Sequence, residues 1–166
     1  MTGKTHAICG TVTMAAITVV CLTGDYDFVP IVGLLAAPTG SYMPDIDIHR
    51  SKMGSKFKFI SRFLTHRGIT HTLLVPFLLY LLQVWVTGKG IPVLPSLLFG
   101  FNVGWIVHII ADMFNKKGVP ILWPLTKKHY HVASFLTSSW HEYVFIALWI
   151  VLNIAVVYLL RGVNII

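Results

Sequence analysis

Charge is scarce in this chain of 166 residues: 11% of it is Asp, Glu, Lys or Arg, and only six residues are acidic. Soluble domains carry about 25% charged residues. The deficit, together with 55% apolar residues and a positive mean hydropathy, excludes an ordinary water-soluble domain and points to an integral membrane protein. Cysteine is nearly absent too. Cys9 and Cys21 fall in one apolar run, where that spacing on a helix separates them by roughly 18 Å. That is beyond disulfide reach, so both are expected as buried free thiols. The chain has no C-x-x-C and hence no thiolate zinc spacing. It has no H-E-x-x-H, and His141–Glu142 lacks the second histidine that a zinc protease motif requires. Internal repeats and low-complexity segments are missing as well, and the length suits a single integral-membrane helical domain over 1–166.

What the chain does contain is apolar sequence in five stretches, at about 7–22, 28–43, 69–87, 92–113 and 142–160. A bilayer span needs about 20 mainly apolar residues, which the last three satisfy and the first narrowly misses. The second carries Pro30, Gly33, Pro38 and Gly40, residues that kink or break a helix. The expected fold is all-α: a compact bundle of about five transmembrane or re-entrant helices, with 28–43 kinked or broken. The first stretch has the look of a signal peptide but lacks an A-x-A-like site, and it is read as a retained helix.

Basic residues are unevenly placed. If all five stretches cross, Lys4, the loop 44–68 and the loop 114–141 share one side and hold 11 of the 13 lysines and arginines. Basic loops stay cytoplasmic, so a net charge of +7 speaks here to orientation and not to nucleic acid. The expected location is a bacterial inner membrane, multi-pass, with the N-terminus in the cytoplasm. On that same side, or within about one helical turn of it, lie all eight histidines and four of the six acids: Asp45, Asp47, Asp112 and Glu142.

Three constellations stand out. In "HIIAD", His108 and Asp112 are four residues apart, so they share a helix face; ionisable side chains inside an apolar segment mark functional sites by default. In "MPDIDIH", Asp45 and Asp47 point the same way if the segment is extended, and two close carboxylates call for a cation; the bland reading is an exposed turn. In "HRGITHT", His71 lies one turn past Arg67, while Arg67 suits phosphate binding; the bland reading is helix capping by Thr65 or Thr70 with arginine snorkelling to lipid. His6 alone reads as incidental, and His129, His131, His141 and Glu142 rank below the others. Taken together, the ends of stretches 2 and 4 and the starts of 1, 3 and 5 must meet at one face of the bundle. That would gather Asp45, Asp47, His71, His108 and Asp112, with His6 and His66 nearby. Mixed nitrogen and oxygen donors suit Zn²⁺, with Mn²⁺ or Fe²⁺ as alternatives, and so many donors suit two or more ions.

The segments "GSYMPDID" (40–47), "HRGITHT" (66–72) and "HIIADMFNKKGVPILWP" (108–124) resemble the YdjM-like family of bacterial inner-membrane proteins, described as membrane-bound metal-dependent hydrolases. The family is distantly similar to zinc-dependent phospholipase C enzymes. The resemblance runs from His6 to Pro124 in order, and departs where Thr72 replaces a common serine and Asn115 a common threonine. It implies a helical membrane bundle with a metal centre and hydrolase chemistry, and it adds His6 to Asp45, His71, His108 and Asp112 as ligand candidates.

The expected function is hydrolysis of a phosphoester, lipid-linked by virtue of headgroup depth, through a metal-activated water at the cytoplasmic face. Asp45, Asp112 and Arg67 are the catalytic candidates; Arg67, His66 and Thr70 are the substrate-binding candidates; anionic phospholipid is the expected partner. Two other classes compete. A metal-binding or transport protein would place ligands near the bilayer midplane, and a structural protein would use the polar cluster only to tie helices together.

Overall fold

The computed structural model describes residues 1–22, 28–49, 51–64 and 67–162, apart from the side chain of Ile60. Thr65 and His66, both named in the sequence reading, lie outside the described residues. The described chain is all-helical: α1 (Gly3–Cys21), α2 (Pro30–Tyr42), α3 (Lys58–Phe63), α4 (Leu74–Thr87), α5 (Val93–Met113) and α6 (Trp140–Gly162). Short 3-10 turns at Pro44–Asp47 and Ile69–His71 precede α3 and α4.

Helix α5 is the centre of the bundle and packs against α1, α2 and α4, while α6 rests along α1. Small residues set the closest of these contacts. A Cβ on Gly100 would strike the Gly33 carbonyl, one on Gly104 the Ala37 carbonyl, and one on Gly40 the Phe101 carbonyl. Gly100 and Gly104 form a G-x-x-x-G pair, the spacing that lets two membrane helices bring their backbones together. The contacts 33–100, 37–104 and 41–108 show α2 and α5 running the same way, and both end at the same end of the bundle. α1 runs antiparallel to α2, since Gly3 meets Tyr42 and Gly10 meets Ser41. α6 runs parallel to α1, with Thr2 on Glu142, Thr13 on Trp149 and Val19 on Arg161. The ends of α2 and α5 and the starts of α1, α4 and α6 therefore converge.

Helices α1, α5 and α6 are long and apolar enough to cross a membrane. Outward leucines, valines and isoleucines cover α6 (Leu148, Val151, Leu152, Ile154 and Leu159 are all exposed), as expected of a surface solvated by lipid. The kinked second stretch is there: Pro30 opens α2, and Pro38 inside it brings no N–H to the carbonyl one turn back. The third stretch differs from expectation. Its helix begins only at Leu74 and has 14 residues, about 21 Å of rise, too short for an ordinary span. Residues 69–71 are spent on a 3-10 turn followed by extended Thr72, and that break turns His71 inward.

The segment after α5 folds back over the convergent end. Val119 and Tyr130 exchange backbone hydrogen bonds of 3.0 and 2.9 Å, and Leu73 N donates to Ile121 O. Val119 is fully buried against Trp105 and Ile109. Polar side chains beneath this cover are shielded from water.

Candidate metal centre

The convergent end buries His6, His71, His108 and Asp112, each with at most 3% of its surface exposed. They and Asp45 come from several helix ends. His6 is in the first turn of α1, whose cap Thr2 binds Thr5. Asp45 is in the 3-10 turn that Pro44 begins after α2. His108 and Asp112 share one face of the last turns of α5.

Two overlapping donor triads result: His6, His108 and Asp112, and Asp45, His71 and His108, the donor atoms in each lying within 4.8 Å of one another. His108 belongs to both. His6 Nε2 is 3.3 Å from Asp112 Oδ1, and His71 Nε2 is 3.3 Å from His108 Nε2. Two ligands about 2.0–2.1 Å from a tetrahedral zinc ion sit roughly 3.3 Å apart, so these separations match that geometry. Asp45 Oδ1 is slightly wider, 3.7 Å from His108 Nε2 and 3.9 Å from His71 Nε2.

Tautomers sharpen the fit. The Ser41 carbonyl can only accept, so His108 Nδ1, 2.7 Å away, carries the proton and Nε2 presents a lone pair. The Thr70 hydroxyl donates to Asp47 Oδ2 at 3.1 Å, so its oxygen is left to accept from His71 Nδ1, also at 3.1 Å. His71 Nε2 then presents a lone pair as well. Two nitrogen lone pairs facing each other at contact distance repel unless a cation or proton lies between them. His6 Nδ1 is buried with no hydrogen-bond partner among the described residues, a second sign of an unfilled role. The donor set fits a divalent ion.

Asp112 is ringed by positive groups. Arg67 Nη2 donates to its Oδ2 at 2.8 Å and the Met1 amino group lies 2.9 Å from its Oδ1. Arg67 reaches there because residue 67 takes a positive φ of 58°, unusual without glycine, with its N–H held by Asp47 Oδ2 at 2.7 Å. Its other guanidinium arm donates to the Gly118 carbonyl. At Asp45, outside the helices, burial pushes the carboxyl above its usual range; His6 and His71 oppose that shift, and Asp112 and Asp47 add to it.

Three assignments made from sequence take different places. Asp47 does not face the donor triads with Asp45, because the segment is a 3-10 turn and not extended; at three residues per turn, positions i and i+2 point well apart. Its Oδ2 instead lies 3.4 Å from His71 Nδ1, behind the ring, the position of a carboxylate that orients a metal-binding histidine. Thr70 is buried between Asp47 and His71, and its carbonyl accepts from Trp105 Nε1 at 2.9 Å. Arg67 is 7% exposed, bound to Asp112 and Gly118, and buried beneath the centre. Neither Arg67 nor Thr70 lines the cavity beside the site, whereas Asp45 does. That cavity, of about 690 Å³, lies between the starts of α1 and α6 and the residues Ile48, Ser51 and Lys52. Asp45, with 16% of its side chain exposed, is the donor that opens onto it.

The lower-ranked residues separate. Glu142 caps α1 from the neighbouring helix, accepting from Thr5 Oγ1 at 2.6 Å and Thr2 Oγ1 at 2.9 Å. His141 stacks on Trp140 and Phe135, and His129 and His131 are on the exposed cover. The Ser41 and Gly118 carbonyls, which hold His108 and Arg67, had no side-chain signal in the sequence.

The family described as YdjM inner membrane protein matches residues 1–165. The chain belongs to the YdjM family. It is 40% identical over 86 residues to the inner membrane protein YdjM of Escherichia coli (strain K12), and equally to that of Shigella flexneri. Those alignments take in 49% of this chain and 44% of each relative, so the chain spans less than half the length of the YdjM proteins it matches. YvsG of Bacillus subtilis (strain 168) is 29% identical over 151 residues, 89% of this chain and 88% of that one. No solved structure matches the chain. Family membership and the three long apolar helices place this YdjM-family protein in the inner membrane.

Proposed function

We propose that this YdjM-family protein is a metal-dependent phosphoester hydrolase acting on a lipid-linked substrate at the cytoplasmic face. The observation that carries this reading is the gathering of three buried imidazoles, the buried Asp112 and the partly exposed Asp45 into two triads, in which the His6–Asp112 and His71–His108 separations are zinc-like. His6, His71, His108, Asp45 and Asp112 would hold the metal, with Zn²⁺ suited best to three nitrogens and few oxygens. A bound divalent ion supplies an acidic water and neutralises charge on a phosphoryl oxygen.

The chain's own residues do the rest. Thr70, bound to Asp47, and the Ser41 carbonyl keep the protons of His71 and His108 on Nδ1, so that both Nε2 atoms face inward. Arg67 offsets the charge of Asp112 and fixes its rotamer. Asp45, at the cavity edge, is placed to take a proton from a water entering there. Charge supports this orientation: Lys89 and Arg161 lie at the far end, while the described basic residues of the loops cluster at the site's end, the pattern of a cytoplasmic face.

A metal-binding or transport protein is the second reading, supported by the near-complete burial of the three histidines. Asp45 opening onto a large cavity supports hydrolysis over sequestration. The test is release of phosphate or alcohol from phosphatidic acid and from a p-nitrophenyl phosphodiester by purified protein, with and without chelator. The proposal expects chelator-sensitive turnover that disappears, together with bound metal, in His108→Ala and Asp112→Ala. Stoichiometric metal without turnover, and metal flux in liposomes, would favour the second reading.

A further inference from the structure

With Arg67 and Thr70 buried beneath the centre, the substrate's anionic group needs another partner, and the cavity wall supplies one. Lys4 from the first turn of α1 and Lys52 from the loop after the Asp45 turn both line the cavity that Asp45 enters. Lys52 Nζ is held 3.0 Å from Tyr42 Oη and 4.5 Å over the Tyr42 ring, so its charge is positioned at this wall. Two carboxylates share the cavity. Glu142 is already engaged by Thr2, Thr5 and Ser138 N, and Asp45 faces the donor triads. The remaining charge is the lysine pair.

Apolar side chains share the lining with the lysines: Ile8, one turn after Lys4 on α1, Ile48, and Tyr143 with Ile146 from α6. Ile8 and Tyr143 are exposed, 42% and 77%, near the starts of α1 and α6, and the outward face of α6 is leucine, valine and isoleucine. One cavity thus brings two lysines and Asp45 together with apolar side chains that lead onto the exposed aliphatic face of α6. About 690 Å³ lies in the range of pockets that enclose a whole small ligand, enough for a headgroup and the upper part of its chains.

We propose that this cleft is a phospholipid headgroup site, in which Lys4 and Lys52 bind the phosphate beside Asp45 and the lipid tail leaves between α1 and α6 past Ile8, Tyr143 and Ile146. The inference rests on the hydrolase reading for its purpose, but binding is measured without turnover. Lys4 and Lys52 are positioned for substrate binding and do not touch the donor set.

Detergent-purified protein is titrated with dioleoyl phosphatidic acid and with dioleoyl phosphatidylcholine, and retained lipids are counted by native mass spectrometry. The wild-type chain retains one phosphatidic acid in preference to phosphatidylcholine. Lys4→Glu/Lys52→Glu weakens its retention by at least about tenfold, as expected for losing two charge-assisted contacts. Both lysines are exposed, so the double variant keeps its fold. Ile8→Trp, which fills the apolar wall without changing charge, also lowers retention. Glycerol 3-phosphate at equal concentration fails to compete; effective competition would make this a soluble-phosphate site and overturn the lipid assignment. Unchanged phosphatidic acid retention in the lysine or the tryptophan variant overturns the cleft, even if hydrolysis is found. Retention that responds as stated while no hydrolysis occurs sinks the enzymatic reading and leaves the site.

Discussion

Asp47 shows how much a local conformation decides. The pair Asp45 and Asp47 is plain in the sequence, and so is the need for a cation, but their division of labour depends on a 3-10 turn in place of a strand. One carboxylate faces the donor triads and the other stands behind His71. Asp47→Asn therefore keeps the inward donors and loses the charge that orients the ring. Zinc affinity measured by competition with a chromogenic chelator is expected to fall about 10- to 100-fold, while Asp45→Asn, which alters a donor facing the ion, acts on turnover as well as on affinity. Equal effects of the two variants would put both carboxylates on the metal. His108 and Asp112 were legible because ionisable residues inside apolar sequence mark sites by default, and His71 because the ends of the apolar stretches had to meet at one face. One histidine at the mouth of a helix carries no spacing signal, so His6 entered as a neighbour of the converging ends and became a ligand candidate only through family resemblance. The roles of Arg67 and Thr70 were not legible, because a positive φ at position 67 and a helix delayed to Leu74 redirect both side chains.

At the scale of elements, five apolar stretches become α1, α2, α4, α5 and α6, and the proline-rich one is the bent helix. The sequence hides the seam between α2 and α5. Gly33, Ala37, Gly40 and Ser41 on one helix, and Gly100 and Gly104 on the other, carry no hydrophobic periodicity, yet they bring the backbones into contact. That contact puts the Ser41 carbonyl within reach of His108. Gly104→Leu drives a side chain into the Ala37 carbonyl, and overpacking of this kind costs about 1–3 kcal/mol. The expected result is a lowered thermal midpoint together with weaker metal binding, because separating α2 from α5 withdraws His108's anchor. Gly88→Leu, in a loop with open surroundings, is the comparison and leaves both unchanged.

Over the whole molecule, the order of helix directions does what spacing along the chain does not: it collects α2 and α5 ends with α1, α4 and α6 starts, and the Val119–Tyr130 segment seals them. The same arrangement concentrates lysine and arginine at the site's end, which predicts orientation. A Lys127→Cys chain in which Cys9 and Cys21 are alanine should react with a membrane-impermeant maleimide in inverted inner-membrane vesicles and stay unlabelled in intact spheroplasts. The reverse pattern would put the centre in the periplasm and remove the proposed access to the inner leaflet.

Whether distant imidazoles and carboxylates jointly hold a divalent ion is tested most directly by anomalous diffraction at the zinc edge from crystals of the purified chain. A peak is expected bounded by the Nε2 atoms of His71 and His108 and by Asp45, or by His6, His108 and Asp112, with Asp47 outside coordination distance. Density with no anomalous peak there after zinc loading, or a peak held by other residues, would contradict joint metal binding.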